Sequence, residues 1–480
     1  MPLYSIILLP AAAALIAGLI PWPRLRPLLV PITALTHLAM VCRVLTAPAA
    51  IASSHSMLGI DALGGLTLLV VSLLYAVSSI YALGYFRCHP NWDNRIFSSC
   101  LLLFLSAMSL AAVARHLGVL WVAVETTTLV SAPLVYYNRN KFSIEATWKY
   151  LLLCSMGIAL AMLGILFVAY ADLLGHGEAN VHLDHLLSQA PLLSKPWLRA
   201  GFVFLLVGFG TKMGLAPLHT WKPDVYGEAP GLVGGLLAGG LTSVAFLAIL
   251  RAMQIMTAAG EQEIARQCLL AMGVTSLLFA ALFVIRQRDI KRMLAYSSVE
   301  HMGILAIGVA VGGLATYGAM FHMFNNALTK GSLFMSAGNI HRHYGSKRQC
   351  EILGSLSVLP VSAGVFLAGF LAIAGSPPFG VFLSEFTILR GIFNTGHPLL
   401  SGGFILLLTV IFIGMAGTVL PVTLGPTYDE TGTPGNHHET LLTAGAPLLL
   451  LMMVFVVGFH LPAPLRDMFT NAAALLEGTP

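Results

Sequence analysis

Apolar residues come in long blocks along this chain, parted by short stretches rich in charge, glycine or proline. The pattern predicts helices over residues 3–20, 26–44, 62–85, 98–114, 117–137, 147–171, 201–218, 231–250, 267–285, 294–312, 314–338, 359–393, 403–423 and 441–460. A helix needs ~20 apolar residues to cross a bilayer. The blocks therefore read as an all-α polytopic membrane protein with about 14 transmembrane helices, one integral membrane domain over residues 1–480. The first block, Leu3 to Ile20, has no basic segment before it and no small-residue cleavage site after it, so it reads as a span and not a signal peptide.

Helix breakers interrupt two blocks, the seventh at Gly210 to Pro217 and the twelfth at Gly375 to Gly380. Proline removes a backbone donor and clashes with the preceding turn, opening a non-helical stretch that only protein or water can satisfy. Breaks at matching places in two halves point to inverted repeats with an ion path near the midplane. Their separation of five spans predicts two inverted five-helix repeats, at 98–250 and 264–423, with helices 7 and 12 broken.

Composition supports this reading. Of 480 residues 57% are hydrophobic and 9% charged, with a mean hydropathy of +0.84. A water-facing surface cannot be made from so few charges. A scattered net charge of +5 excludes a nucleic-acid footprint. The six cysteines form no CxxC pair and no cluster for zinc or iron-sulfur, and no histidine pair has haem spacing. No cofactor or metal is therefore expected, and any redox chemistry belongs to another subunit. The stretch 172–200 carries Asp172, Glu178, Asp184, His176, His182 and His185 at irregular spacing and reads as a solvated loop, as does Thr427 to Glu439 with His437 and His438. Loop Lys and Arg, Lys222 and Lys291 among them, number about 14 on one side against about 7 on the other. That places both termini outside the cytoplasm in a cytoplasmic (inner) membrane.

An ionisable side chain inside a membrane segment costs a few kcal/mol and usually faces protein, water or a partner charge. Glu125, Lys149, Lys212, Lys330 and Glu385 are such residues. Lys149 lies close to a predicted helix end, where snorkelling to headgroups is the alternative. His322 precedes Lys330 by eight residues with Asn326 between, on one helix face, a ladder suited to proton relay. Glu300 and His301 add an acid and an imidazole, but adjacent residues point about 100° apart. They cannot both line a narrow path unaided, so one is assigned a structural or interface role. Sodium would need a cage of oxygen ligands, so the mostly basic set favours protons.

Three stretches, Thr211 to Asp224 (TKMGLAPLHTWKPD), Asp289 to Ser298 (DIKRMLAYSS) and Phe379 to Phe386 (FGVFLSEF), resemble the antiporter-like subunits of the membrane arm of respiratory complex I. Ser298 to Gly303 (SVEHMG) resembles the hydrogenase-4 component F branch, which accompanies membrane-bound nickel-iron hydrogenases. The resemblance covers roughly spans three to thirteen. It implies a bundle in which Glu125, Lys212, Lys330 and Glu385 move protons, with Glu125 and Lys212 forming an ion pair that couples the machine. It leaves Lys149 either tuning that glutamate or anchoring its helix. It also implies other membrane-arm subunits, a peripheral redox module of hydrogenase or NADH dehydrogenase type, and the lipid bilayer as partners.

Departures are visible. The segment Gly231 to Leu250 has no Lys or His where many relatives carry one, Ser243 falling near that place, and Asn326 stands where some relatives have a second histidine. Either water or a displaced side chain must fill the gap. The chain ends about 20 residues beyond its last block, which argues against a long lateral helix. The expected function is a non-redox, proton-translocating subunit of a redox-driven complex. The competing readings are a channel subunit that energises solute uptake and a scaffold that has lost pumping.

Overall fold

The computed structural model describes residues 2–46, 57–88, 93–426 and 439–478. The helices are α1 (Pro2–Leu19), α2 (Arg26–Thr46), α3 (Ala62–Arg87), α4 (Arg95–Val113), α5 (Leu117–Val135), α6 (Lys141–His176), α7 (Leu183–Ser188), α8 (Lys195–Met213), α9 (Trp221–Glu228) and α10 (Gly231–Leu236). They continue with α11 (Thr242–Ala258), α12 (Gln262–Val284), α13 (Ile290–Val311), α14 (Leu314–Tyr344), α15 (Ser355–Val358), α16 (Pro360–Ile373), α17 (Gly380–Asn394), α18 (Pro398–Leu424), α19 (Leu441–Phe459) and α20 (Ala463–Glu477). All fourteen predicted blocks are helical. Ten helical stretches among the described residues are long and apolar enough to cross a membrane. The remaining four blocks are α1, the two broken pairs α8–α9 and α16–α17, and the more polar α14.

Local chemistry sets several ends. The sixth block begins at Lys141 and not 147, because Asn140 and Ser143 form a reciprocal capping box. Thr440 and Thr443 do the same for α19, and Asp289 caps α13 by accepting from the amides of Lys291 and Arg292. Asp61 caps α3 and binds the guanidinium groups of Arg251 and Arg115, tying α3 to α11 and to the start of α5. Burial pushes the Asp61 carboxyl up, but the two arginines and the Gly64 amide together bring it down to about 2.

The stretch 172–200 is not the solvated loop that its spacing suggested. Asp172 is buried and accepts from His185 Nε2 (3.0 Å) and the Asn180 amide (3.0 Å), while α7 folds over it. A buried carboxylate demands such partners, and they order the segment. Of Thr427 to Glu439, residues 427–438, His437 and His438 included, lie outside the described residues. Glu439 accepts from the amides of Val361 and Ser362 at the start of α16. The unpredicted α20 packs back on the bundle, and Glu477 ties it to Gly313, Thr316 and Arg266.

At the centre, α10, one π turn (Leu237–Leu241) and α11 as far as Met256 are buried. Gly231, Gly235 and Gly239 lie against α14 so closely that a Cβ would stand 2.9 Å from Gly338 Cα, 3.2 Å from Gly331 Cα and 3.1 Å from Ala327 Cα, respectively. At the periphery α6 and α18 expose Trp148, Leu152, Met156, Leu406 and Ile413. Such a surface suits lipid or a neighbouring membrane subunit.

Candidate functional site

The first break follows from its sequence. Helix α8 stops at Gly214, which takes a left-handed φ of 81°, and α9 resumes at Trp221. Trp221 Nε1 donates to the Thr211 carbonyl (2.8 Å), and the Ala216 amide donates to Ser276 Oγ (2.9 Å), so the opened backbone keeps its partners. Lys212, wholly buried on the last turn of α8, donates to Thr128 Oγ1 (2.7 Å) and to the Tyr150 hydroxyl (2.9 Å).

Glu125 is half-buried on α5 and accepts from Ser155 Oγ (2.8 Å) and Thr128 Oγ1 (3.1 Å). The expected Glu125–Lys212 ion pair is therefore not a direct contact. Thr128, one turn along α5, puts its hydroxyl between the two charges, and a hydroxyl can accept from the amine while donating to the carboxylate.

Lys222 was counted among the loop cations, and the structure corrects that. It is wholly buried, its stem lies directly over Gly214, where a Cβ would collide with it, and Nζ donates to Ser298 Oγ (3.1 Å). The reason is that α9 sits inside the break and turns this side chain inward. Lys291 is buried as well and donates to the Ala229 carbonyl (3.0 Å). Ser243 fills no gap in the eighth block: its hydroxyl bonds back to Gly239 of its own helix (2.7 Å).

Ser297, beside Ser298 on α13, accepts from Lys330 Nζ (2.7 Å) and donates to Glu300 Oε2 (3.2 Å). His301 Nδ1 is 2.9 Å from His322 Nε2, and His322 Nδ1 is 3.0 Å from Ser384 Oγ. Glu385 Oε1 stands 3.8 Å from His301 Nδ1. The ladder expected along α14 is thus not present as such. Eight residues span about 12 Å of helix, too far for contact, and Asn326 Oδ1 has no hydrogen-bond partner. Lys330 and His322 each reach α13 instead. The 100° between Glu300 and His301 turns Glu300 toward the Lys330 side and His301 toward His322, so both find partners. Both are buried, and neither is peripheral to the network.

The second break mirrors the first. Gly375 takes a left-handed φ of 67°, and the Glu385 carboxylate lies over it where a Cβ would stand. Asn325 Nδ2 donates to the Gly380 carbonyl (3.0 Å) and pins the start of α17 to α14. Lys149 is not drawn into this interior. It pairs with Glu145 (2.7 Å) and Asp224 (2.9 Å), with 46% of its side chain exposed. Asp224 also pairs with Arg292.

A family model described as NADH:quinone oxidoreductase/Mrp antiporter, TM, matches residues 114–414, which take in both breaks and the buried charges around them. The chain belongs to this family. Within it, a hydrogenase-4 component F homologue from Methylacidiphilum infernorum is 35% identical over 387 residues, 80% of each chain. An NADH-quinone oxidoreductase subunit N from Desulforudis audaxviator is 32% identical over 339 residues, 70% of this chain and 66% of the relative. A chain of the membrane-bound sulfane sulfur reductase, an archaeal respiratory membrane complex, superposes with a TM-score of 0.87 over 99% of this chain and 97% of its own length, at 21% identity. That likeness establishes the fold.

Of the sequence candidates, the structure places Glu125, Lys212, Glu300, His301, His322, Lys330 and Glu385 among these interior contacts and Lys149 outside them; Lys222, Thr128, Tyr150 and the paired serines of α13 join them without having been singled out. For Lys222 a signal existed: a lysine between Trp221 and Pro223 inside a break, in a chain whose eighth block has none.

Proposed function

We propose that this protein is a proton-translocating membrane subunit of a redox-driven complex. Protons pass along Glu125, Lys212, Lys222, Lys330, Glu300, His301, His322 and Glu385, with the hydroxyls of Thr128, Ser297 and Ser298 between them. The observation that carries the reading is Lys222: a fully buried amine at the broken helix, bonded to Ser298 next to the serine that holds Lys330. It fills the gap left by the eighth block, which removes the main support for a scaffold that no longer pumps. Amines, imidazoles and hydroxyls in a water-poor interior suit proton exchange and lack the oxygen cage that sodium requires.

The same reading gives fourteen crossings, both termini outside the cytoplasm of an inner membrane, and repeats at 98–250 and 264–423, each holding one break. Neighbouring membrane subunits cover the apolar flanks, and a peripheral module of hydrogenase or NADH dehydrogenase type holds the cofactors and supplies the energy.

The test is to purify the intact complex from its native membrane, identify its subunits by mass spectrometry and reconstitute it with a pH-sensitive dye inside the vesicles. Lys330→Ala is expected to cut proton uptake about tenfold or more, equivalent to about 1.4 kcal/mol of barrier, with the complex still assembled. Undiminished uptake in that variant overturns the proton path. Co-purification with antiporter subunits alone overturns the redox partner and favours solute uptake.

A further inference from the structure

At the second break three side chains with metal-ligand chemistry converge. One donor atom each from His301, His322 and Glu385 lies within 4.8 Å of the other two. The closest pair is His301 Nδ1 and His322 Nε2 at 2.9 Å, and Glu385 Oε1 is 3.8 Å from that same His301 nitrogen. The far nitrogens of the two rings differ. His322 Nδ1 lies 3.0 Å from Ser384 Oγ. His301 Nε2 is buried with no hydrogen-bond partner, with Glu300 Oε2 3.8 Å away. A hydroxyl or carboxylate behind an imidazole is how metal-ligating histidines are held in tautomer and orientation, and the Ser384 hydroxyl supplies this for His322.

We propose that His301, His322 and Glu385 form a binding site for a divalent cation of the zinc type, which takes the place of the proton shared by the two rings. Two imidazole nitrogens and one carboxylate oxygen are the donor set of open zinc sites, the fourth position being left to water. Bonds of about 2.0–2.1 Å separate tetrahedral donors by about 3.3 Å, so the ring nitrogens part by about 0.4 Å, and the carboxylate closes by about 0.5 Å on His301 and by up to about 1.5 Å on His322. Side-chain rotations of that size leave the helices in place. The charges balance, since the Glu385 and Glu300 carboxylates together offset a dication, and the proton between the rings moves to the far nitrogen of the ring that carried it, so that both imidazoles bind as neutral ligands. The Glu385 side chain is 11% exposed and lines a cavity of about 260 Å³ with Gly375, Phe386, Leu408 and Phe412.

Occupancy follows from the geometry alone; only its consequence, arrest of proton flow, rests on the proposed function. The experiment titrates the purified full chain in detergent with Co2+ and records its visible absorption. The expected result is one equivalent bound with the intense bands of four-coordinate Co2+, displaced by Zn2+. Those bands vanish in His322→Gln and Glu385→Gln, while Ser384→Ala keeps them and weakens affinity about tenfold. Because a ligand variant that fails to fold would also lose the bands, X-ray absorption of the Zn2+-loaded wild type supplies a second readout. Two imidazoles with light oxygen donors support the site, and a six-oxygen shell overturns it. Absence of the bands in the wild type, or their survival in both folded ligand variants, overturns it too. If the site fills and reconstituted proton flux continues, the site stands and the proton path through it falls.

Discussion

At the first break Gly214 turns left-handed and the stem of Lys222 lies over it; at the second, Gly375 turns left-handed and the carboxylate of Glu385 lies over it. In both, the missing Cβ is what gives a charged group its seat against the opened backbone. The surroundings then differ. Around Lys212 and Lys222 the neighbours are hydroxyls of Thr128, Tyr150 and Ser298, which accept from ammonium groups, and the space is closed. Around Glu385 stand two imidazoles and a cavity. A broken helix is thus a general holder, and the elements packed against it decide the sign of the charge and how freely it moves.

The comparison breaks most visibly at the glycines. A side chain forced to positive φ costs about 1–3 kcal/mol at either place. Gly214→Ala must also expel a buried lysine that has nowhere to go, whereas Gly375→Ala displaces a carboxylate able to swing into its cavity. The expected outcome is a markedly larger drop in detergent thermal midpoint for Gly214→Ala, and equal drops would mean that the side chain over the glycine is irrelevant. Next in size is Lys222→Met, which keeps the stem and removes the charge. Proton uptake in vesicles should fall about tenfold while stability holds or rises, because a buried ammonium is costly to desolvate.

A smaller effect tests the bridge at the first break. Thr128→Val removes the hydroxyl between Glu125 and Lys212 and should slow uptake about threefold, or about 0.7 kcal/mol of barrier. Unchanged uptake would show that the two charges communicate without it. Smallest of all, Lys149→Ala should alter uptake by less than about twofold, since exposed ion pairs are worth about 0–1 kcal/mol. A large loss there would move the site outward to the Lys149–Asp224–Arg292 cluster.

These expectations also mark where the sequence stops being informative. The fourteen helical blocks were legible because a bilayer demands ~20 apolar residues, and the breaks because proline and glycine interrupt them. Lys212, Lys330 and Glu385 stood out as charges in apolar surroundings. Lys222 did not, because beside Trp221, Pro223 and Asp224 it looks like any lysine at a loop, and only the inward turn of α9 hides it. Thr128 and the serines of α13 were invisible for a related reason: a hydroxyl in a helix usually bonds to its own backbone, as Ser243 does, and which ones face a charge is settled by packing between helices. For Glu300 and His301 the 100° between them was legible, but not that Ser297 on one side and His322 on the other give each a buried partner.

The glycine row that joins α10 and its π turn to α14 sets a limit on exchange. With backbone almost touching backbone at Gly231, Gly235 and Gly239, a long side chain on that face has no volume to occupy. A larger residue at any of the three fits only after the two helices move apart, so the seam tolerates no gradual widening: it is kept whole or given up.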